Sequence, residues 1–106
     1  MGDWDVVFNR SERDGRAVLS VSGEIDLAIA GRFAEELESL VGGNGAVDLS
    51  AVEFIDSSGI RALLKAQGRA QAAGGDLVLL SPSPACRRVL EISGVWSNFT
   101  VLEASS

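Results

Sequence analysis

From Leu27 onward the apolar residues of this chain recur with the period of a helix, whereas those before Asp26 have the period of a strand. Ala30, Phe33, Leu37, Leu40 and Val41 return at three- and four-residue spacing, and Arg32, Glu35, Glu36 and Glu38 fill the other side. That stripe predicts an amphipathic helix with one face turned inward. Asp26 suits its N-cap, because a carboxylate accepts from the free amides of a first turn. Gly42-Gly43-Asn44-Gly45 supplies residues that tolerate a left-handed stop. A chain that passes from strand to helix in this way buries both apolar faces by laying helices on a sheet.

The remaining segments follow the same logic. Residues 4–8 and 17–21 are short apolar-rich runs on either side of a polar stretch, 10–15, that ends in Asp14-Gly15, and they predict an antiparallel pair. Ala17, Leu19 and Val21 share one face, with Ser20 and Ser22 on the other. Residues 46–49, with Val52, Phe54 and Ile55, predict a buried strand and its continuation, running directly into Asp56-Ser57-Ser58-Gly59. A second helix is expected to turn Ile60, Leu63, Leu64, Ala70 and Ala73 inward and to stop at Gly74-Gly75. Leu77-Val78-Leu79-Leu80 reads as a strand covered on both faces. In Ser81-Pro82-Ser83-Pro84, Ser83 caps a third helix and Pro84 takes its first position, where a missing amide proton costs nothing. Val89, Leu90 and Ile92 are expected to pack that helix inward, with Gly94 ending it. A closing strand is predicted over 99–102, and 103–106 is expected to fray. The order β-β-α-β-α-β-α-β predicts an α/β fold, a mixed sheet with helices and right-handed crossovers. At 106 residues there is room for one core, so 1–106 is expected to be one domain.

Charge narrows the function. A formal net charge of -6 argues against a nucleic-acid surface, which needs clustered Lys and Arg, so any part in transcription is expected to be indirect. Met1-Gly2-Asp3-Trp4-Asp5 is acidic where a secretory signal is basic, and Val6 breaks the myristoylation pattern. No stretch approaches the roughly 20 apolar residues that span a bilayer. The expectation is a cytoplasmic protein without a membrane partner. Cys86 has no second cysteine to pair with, and the chain has no histidine, so neither an internal disulfide nor a metal site is expected, and no cofactor. Cys86 reads as a small buried hydrophobe, with an intermolecular redox switch as the alternative.

Loops leaving the carboxyl ends of parallel strands gather at one rim in such folds. Here they are 23–26, 55–59 and 81–83, and three helix N-termini are expected to converge there, each carrying about half a positive charge. Such a rim favours anions. Glu24, Asp26 and Asp56 place carboxylates on it, either as helix caps and dipole partners alone or as part of a site. A serine before a helix is also a common cap, worth about 1 kcal/mol, so spacing alone singles out neither Ser57 nor Ser58.

One combination is more specific. Ser22-Gly23-Glu24-Ile25-Asp26-Leu27-Ala28, followed by Phe54-Ile55-Asp56-Ser57-Ser58-Gly59-Ile60, resembles the bacterial anti-sigma-factor antagonists of the STAS type. The resemblance continues through Ala73-Gly74-Gly75-Asp76-Leu77-Val78-Leu79 and Ser81-Pro82-Ser83-Pro84-Ala85 to Ile92-Ser93-Gly94-Val95, and so covers nearly the whole chain. It implies that Ser57 is phosphorylated by an anti-sigma factor that is itself a serine kinase of the histidine-kinase-like ATPase fold. The unphosphorylated antagonist captures that factor and frees a sigma factor, phosphorylation ends the capture, and a PP2C-type phosphatase restores it. Asp26 matches the family's acidic residue near the phosphosite. The expected partner-binding set is Asp26, Asp56, Ser57, Ser58, Gly59 and Arg61.

Arg61 lies one helical turn after Ser57. It is either a solvated surface residue or a cis partner for the phosphate. Trp96 is either core filler or a partner anchor. Ser57 beside Asp26 and Asp56 superficially suggests a hydrolase. With no histidine there is no ordinary triad base, Lys65 is about two turns away, and no Walker-type motif is present, so no enzyme is expected. The stronger rival is a STAS-type binding module of another pathway, a stressosome-like scaffold subunit or an accessory subunit of a lipid transporter. An isolated domain without a sensor or transport segment, and the intact Asp-Ser-Ser-Gly, favour the antagonist.

Overall fold

Asp14 and Gly15 both adopt positive φ, 54° and 81°, the backbone of the tight hairpin turn whose twist matches its flanking strands. In the computed structural model, which describes residues 6–103, this turn joins β1 (Val7–Arg13) to β2 (Arg16–Ile25). Then follow α1 (Leu27–Glu38), β3 (Asn44–Ile55), α2 (Ser57–Ala72), β4 (Asp76–Leu80), α3 (Pro84–Ile92), a 3-10 turn over Trp96–Asn98, and β5 (Thr100–Leu102). β1 therefore begins later than expected and runs straight through polar residues read as part of the turn. It is an edge strand, exposed along most of its length, so its backbone pairing with β2 holds without apolar alternation. Trp4 and Asp5 of the expected first strand lie outside the described residues, as do 1–3 and the expected frayed residues 104–106.

The five strands lie in the order β1-β2-β3-β4-β5, the first pair antiparallel and the rest parallel, so the expected mixed sheet is observed. Because the order never reverses, crossovers of one hand place every helix on the same face. Leu19, Val47 and Leu79 share a register level and face that helical layer, where Ile29, Phe33, Leu37, Ile60, Leu63, Cys86 and Leu90 meet them in the main core. The residues just before them in each strand, Val18, Ala46 and Val78, point the other way and form a separate small cluster with Leu80. β4 is thus buried on both sides, as its run of apolar residues implied, but no helix residue joins the second cluster among the described residues.

Several inward assignments shift. Ile92 is 74% exposed at the end of α3. Leu64 is half-buried and Ala73 exposed, while Ala66 and Gln67 take inward places on α2. The Gln67 amide donates to the Asn98 carbonyl at 2.6 Å, which satisfies a buried polar group. Cys86 is fully buried, and burial pushes its thiol up to about 11. Phe99 is buried just ahead of β5, and Trp96 is half-buried against the main core, with the Arg87 guanidinium 4.9 Å over its ring.

Candidate functional site

Ile25 and Ile55 are register partners at the ends of β2 and β3, and the Asp56 amide donates to the Ile25 carbonyl at 3.0 Å. The two strands therefore stop together, and Asp26 and Asp56 stand side by side as the caps of α1 and α2. Asp26 accepts from the Ile29 amide at 3.2 Å. Asp56 accepts from the amides of Ser58 at 2.9 Å and Gly59 at 3.2 Å. The third loop does not join them. Leu80 pairs with Asp48, and the remainder of β3 runs on for roughly 20 Å at about 3.3 Å per residue. Ser83 instead bonds beside that overhang, its amide to the Leu49 carbonyl at 3.1 Å and its hydroxyl to the Val52 carbonyl at 2.5 Å. The expected convergence of three helix N-termini is thus corrected to two, since β4 is too short to carry α3 to the rim.

The two serines differ in what their hydroxyls do. The Ser58 hydroxyl donates to Asp56 Oδ1 at 2.5 Å. That bond is the largest cause holding the Asp56 carboxyl below the usual carboxylate range; the Gly59, Ser58 and Leu27 amides add to it, and desolvation opposes it. Ser57, the first residue of α2, is exposed, and its hydroxyl makes no hydrogen bond among the described residues.

Gly59 explains why the hydroxyl is held where it is. A Cβ there would come 2.7 Å from an Ile55 side-chain carbon and 2.8 Å from one of Ile25. Only glycine lets the first turn of α2 rest directly on the ends of both strands. The same turn is less open to anions than the expected rim. The Ser58 and Gly59 amides serve Asp56's carboxylate, and the Ile60 amide donates to its carbonyl at 3.0 Å.

Around Ser57 the surface is mixed. Leu27 is exposed at the start of α1, and Phe54 is 44% exposed opposite Glu24 on β2. Both apolar residues were missed as rim residues. The parity of β3 carried the signal for Phe54, because Ile55 faces the helices and its neighbour must face away. Arg61 and Lys65 are exposed on α2 one and two turns behind Ser57, and neither makes a hydrogen bond or ion pair among the described residues. The arrangement presents one uncommitted hydroxyl able to accept a group. No cluster of His, Cys, Asp or Glu suited to a metal occurs among the described residues, and no helix among them is long and apolar enough to cross a membrane.

Comparison with known proteins gives the following likenesses. The family model described as Mlab, STAS domain matches residues 8–102. The anti-sigma-F factor antagonist RsfB of Mycobacterium tuberculosis is 43% identical over 56 residues, 50% of this chain and 46% of its own. The match thus spans about half the length of that curated relative. A crystal structure of an anti-sigma factor antagonist from Mycobacterium paratuberculosis superposes with a TM-score of 0.79 at 29% identity, over 91% of this chain and 84% of that one. The anti-sigma factor antagonist SpoIIAA in its unphosphorylated form has the same fold, with a TM-score of 0.76 at 22% identity over 94% of this chain and 90% of its own.

Proposed function

We propose that this chain, which belongs to the STAS-domain family, is an anti-sigma-factor antagonist that captures an anti-sigma factor in the cytoplasm and so frees a sigma factor. Phosphorylation of Ser57 ends the capture. The observation that carries this reading is the contrast at the start of α2: the Ser57 hydroxyl is exposed and uncommitted, whereas that of Ser58 is engaged by Asp56. The role named for the mycobacterial relative supports it. The partner is an anti-sigma factor that is also a serine kinase of the histidine-kinase-like ATPase fold, and a PP2C-type phosphatase reverses its action. Ser57 Oγ attacks the γ-phosphorus of kinase-bound ATP, ADP leaves, and the hydroxyl proton passes to a base on the kinase. The phosphatase returns the hydroxyl by hydrolysis, releasing inorganic phosphate.

The physics of the switch is a difference between the free and the docked domain. A phosphate adds about -1.5 to -2 charges. In the free domain it is bathed in water, and the caps and core beneath it are untouched. At a docked rim it must be desolvated beside Asp56 and Asp26, and an uncompensated interfacial charge costs about 2 to 5 kcal/mol, some thirtyfold to several thousandfold in affinity. The exposed Leu27 and Phe54 supply the apolar contact that capture requires, with Asp26, Asp56, Ser57, Ser58, Gly59 and Arg61 around them.

The test is incubation with candidate anti-sigma kinases and ATP, followed by mass-spectrometric mapping and a capture assay. One phosphate on Ser57 is expected, none in Ser57→Ala, and weakened capture in Ser57→Asp. A phosphate on Ser58 would move the site and keep the mechanism. Equal capture by the phosphorylated and bare forms would end the regulatory reading.

A further inference from the structure

Of the first amides of α2, a phosphate on Ser57 would find its own residue's uncommitted and the three that follow already occupied. Those of Ser58 and Gly59 donate to Asp56, and that of Ile60 donates to the Asp56 carbonyl. Helix N-termini hold anions through free amides, and taking these would mean evicting the cap. The other charged groups at the rim are the carboxylates of Glu24, Asp26, Glu53 and Asp56, which repel a phosphate, and the cations Arg61 and Lys65. Arg61 is exposed and unpaired among the described residues, as Arg13 and Arg88 are elsewhere, but neither of those is on α2. Helical side chains lean toward the N-terminus and cover the turn before their own Cα. An arginine four positions after Ser57 therefore has Ser57 within its reach, at the spacing at which such residues pair. Lys65 is another turn further back.

We propose that Arg61 holds the phosphate of phosphorylated Ser57 in cis, as a guanidinium–phosphate pair on the surface of α2. This rests on Ser57 being the modified residue. Guanidinium is suited to the task because its fork of donors matches phosphate oxygens. Phosphorylation then changes the docking surface twice: it adds negative charge at Ser57, and it withdraws the Arg61 cation from any partner that meets it in the bare form.

The test installs phosphoserine at position 57 by semisynthesis, so it needs neither kinase nor partner. The second ionisation of the phosphate, about 6 when unperturbed, is followed by 31P NMR titration in the otherwise native sequence, Arg61→Ala, Arg61→Lys and Lys65→Ala. A paired cation favours the dianion and lowers the midpoint. The native sequence is expected to titrate about 0.5 pH unit below Arg61→Ala, a modest shift because exposed pairs are screened. Arg61→Lys should fall between them, Lys65→Ala should stay near the native midpoint, and high salt should narrow the differences. Coincident midpoints for the native sequence and Arg61→Ala, or an equal shift in Lys65→Ala, would overturn the proposal. Either result leaves the capture assay unaffected, so the antagonist reading stands or falls separately.

Discussion

Ser57 and Ser58 are neighbours in sequence and opposites in circumstance, and Asp56 creates the difference. Its carboxylate gathers the Ser58 hydroxyl and the first amides of α2, leaving Ser57 as the one that faces outward with nothing to bond. This arrangement has a pH signature. The folded Asp56 carboxyl titrates below its ordinary value of 3.8, so the unfolded chain binds its proton first as pH falls. Its contribution to stability is therefore complete above that ordinary value and is lost as pH drops through the folded value. Asp56→Ala is expected to cost about 1 to 2 kcal/mol at neutral pH. In urea titrations at successive pH values the difference from the native protein should shrink below about pH 4. A difference that persists undiminished at low pH would show that the loss comes from packing and not from the carboxylate.

At the scale of elements, strand length decides what each helix can reach. β2 and β3 end level, so α1 and α2 start together; β4 ends level with Asp48, so α3 starts against the flank of β3. Ser83 joins those two facts. Its hydroxyl oxygen accepts from the Cys86 amide at 3.1 Å and donates to the Val52 carbonyl at 2.5 Å, capping α3 and pinning it to β3 at once. Ser83→Ala removes both bonds and leaves the Val52 carbonyl without this donor, for an expected cost of about 1 to 3 kcal/mol. Chemical denaturation measures it, and a loss under about 0.5 kcal/mol, the level of an ordinary surface change, would mean that α3 is held by its apolar face alone.

At the scale of the molecule, a sheet with helices on one face has one main core between the two layers, and Phe33 lies in it with no exposed surface. Its ring stacks against Phe8 of β1 at 6.3 Å, while Arg10 of the same strand bridges to Glu36 of α1 at 2.6 Å. An edge strand with few buried residues is thereby tied to the helical layer. Phe33→Ala is expected to cost about 3 to 5 kcal/mol. The loss should appear as a lower urea midpoint with an unchanged slope, because one core unfolds as one unit. A second transition, with β1 released first, would show instead that the edge is a separate cooperative unit.

The element order, the caps at Asp26 and Ser83, and the mixed sheet were legible in the chain itself, because periodicity and capping are set by residues within a turn or two of one another; for α2 the chain offered Asp56, Ser57 and Ser58 as caps, and Asp56 takes that place. β1 was legible only in part, since an exposed edge strand needs no apolar alternation. Tertiary structure alone decided that two loops and not three meet at the rim. It also decided that Leu27 is exposed there, that Gly59 rests on Ile25 and Ile55, and that Ser57 keeps a free hydroxyl while Ser58 does not. The first and third depend on strand register and on packing between elements, whereas the difference between the two serines depends on side-chain geometry within a single cap. No local pattern encodes how far β3 outruns β4, or which of two adjacent hydroxyls a neighbouring carboxylate will take.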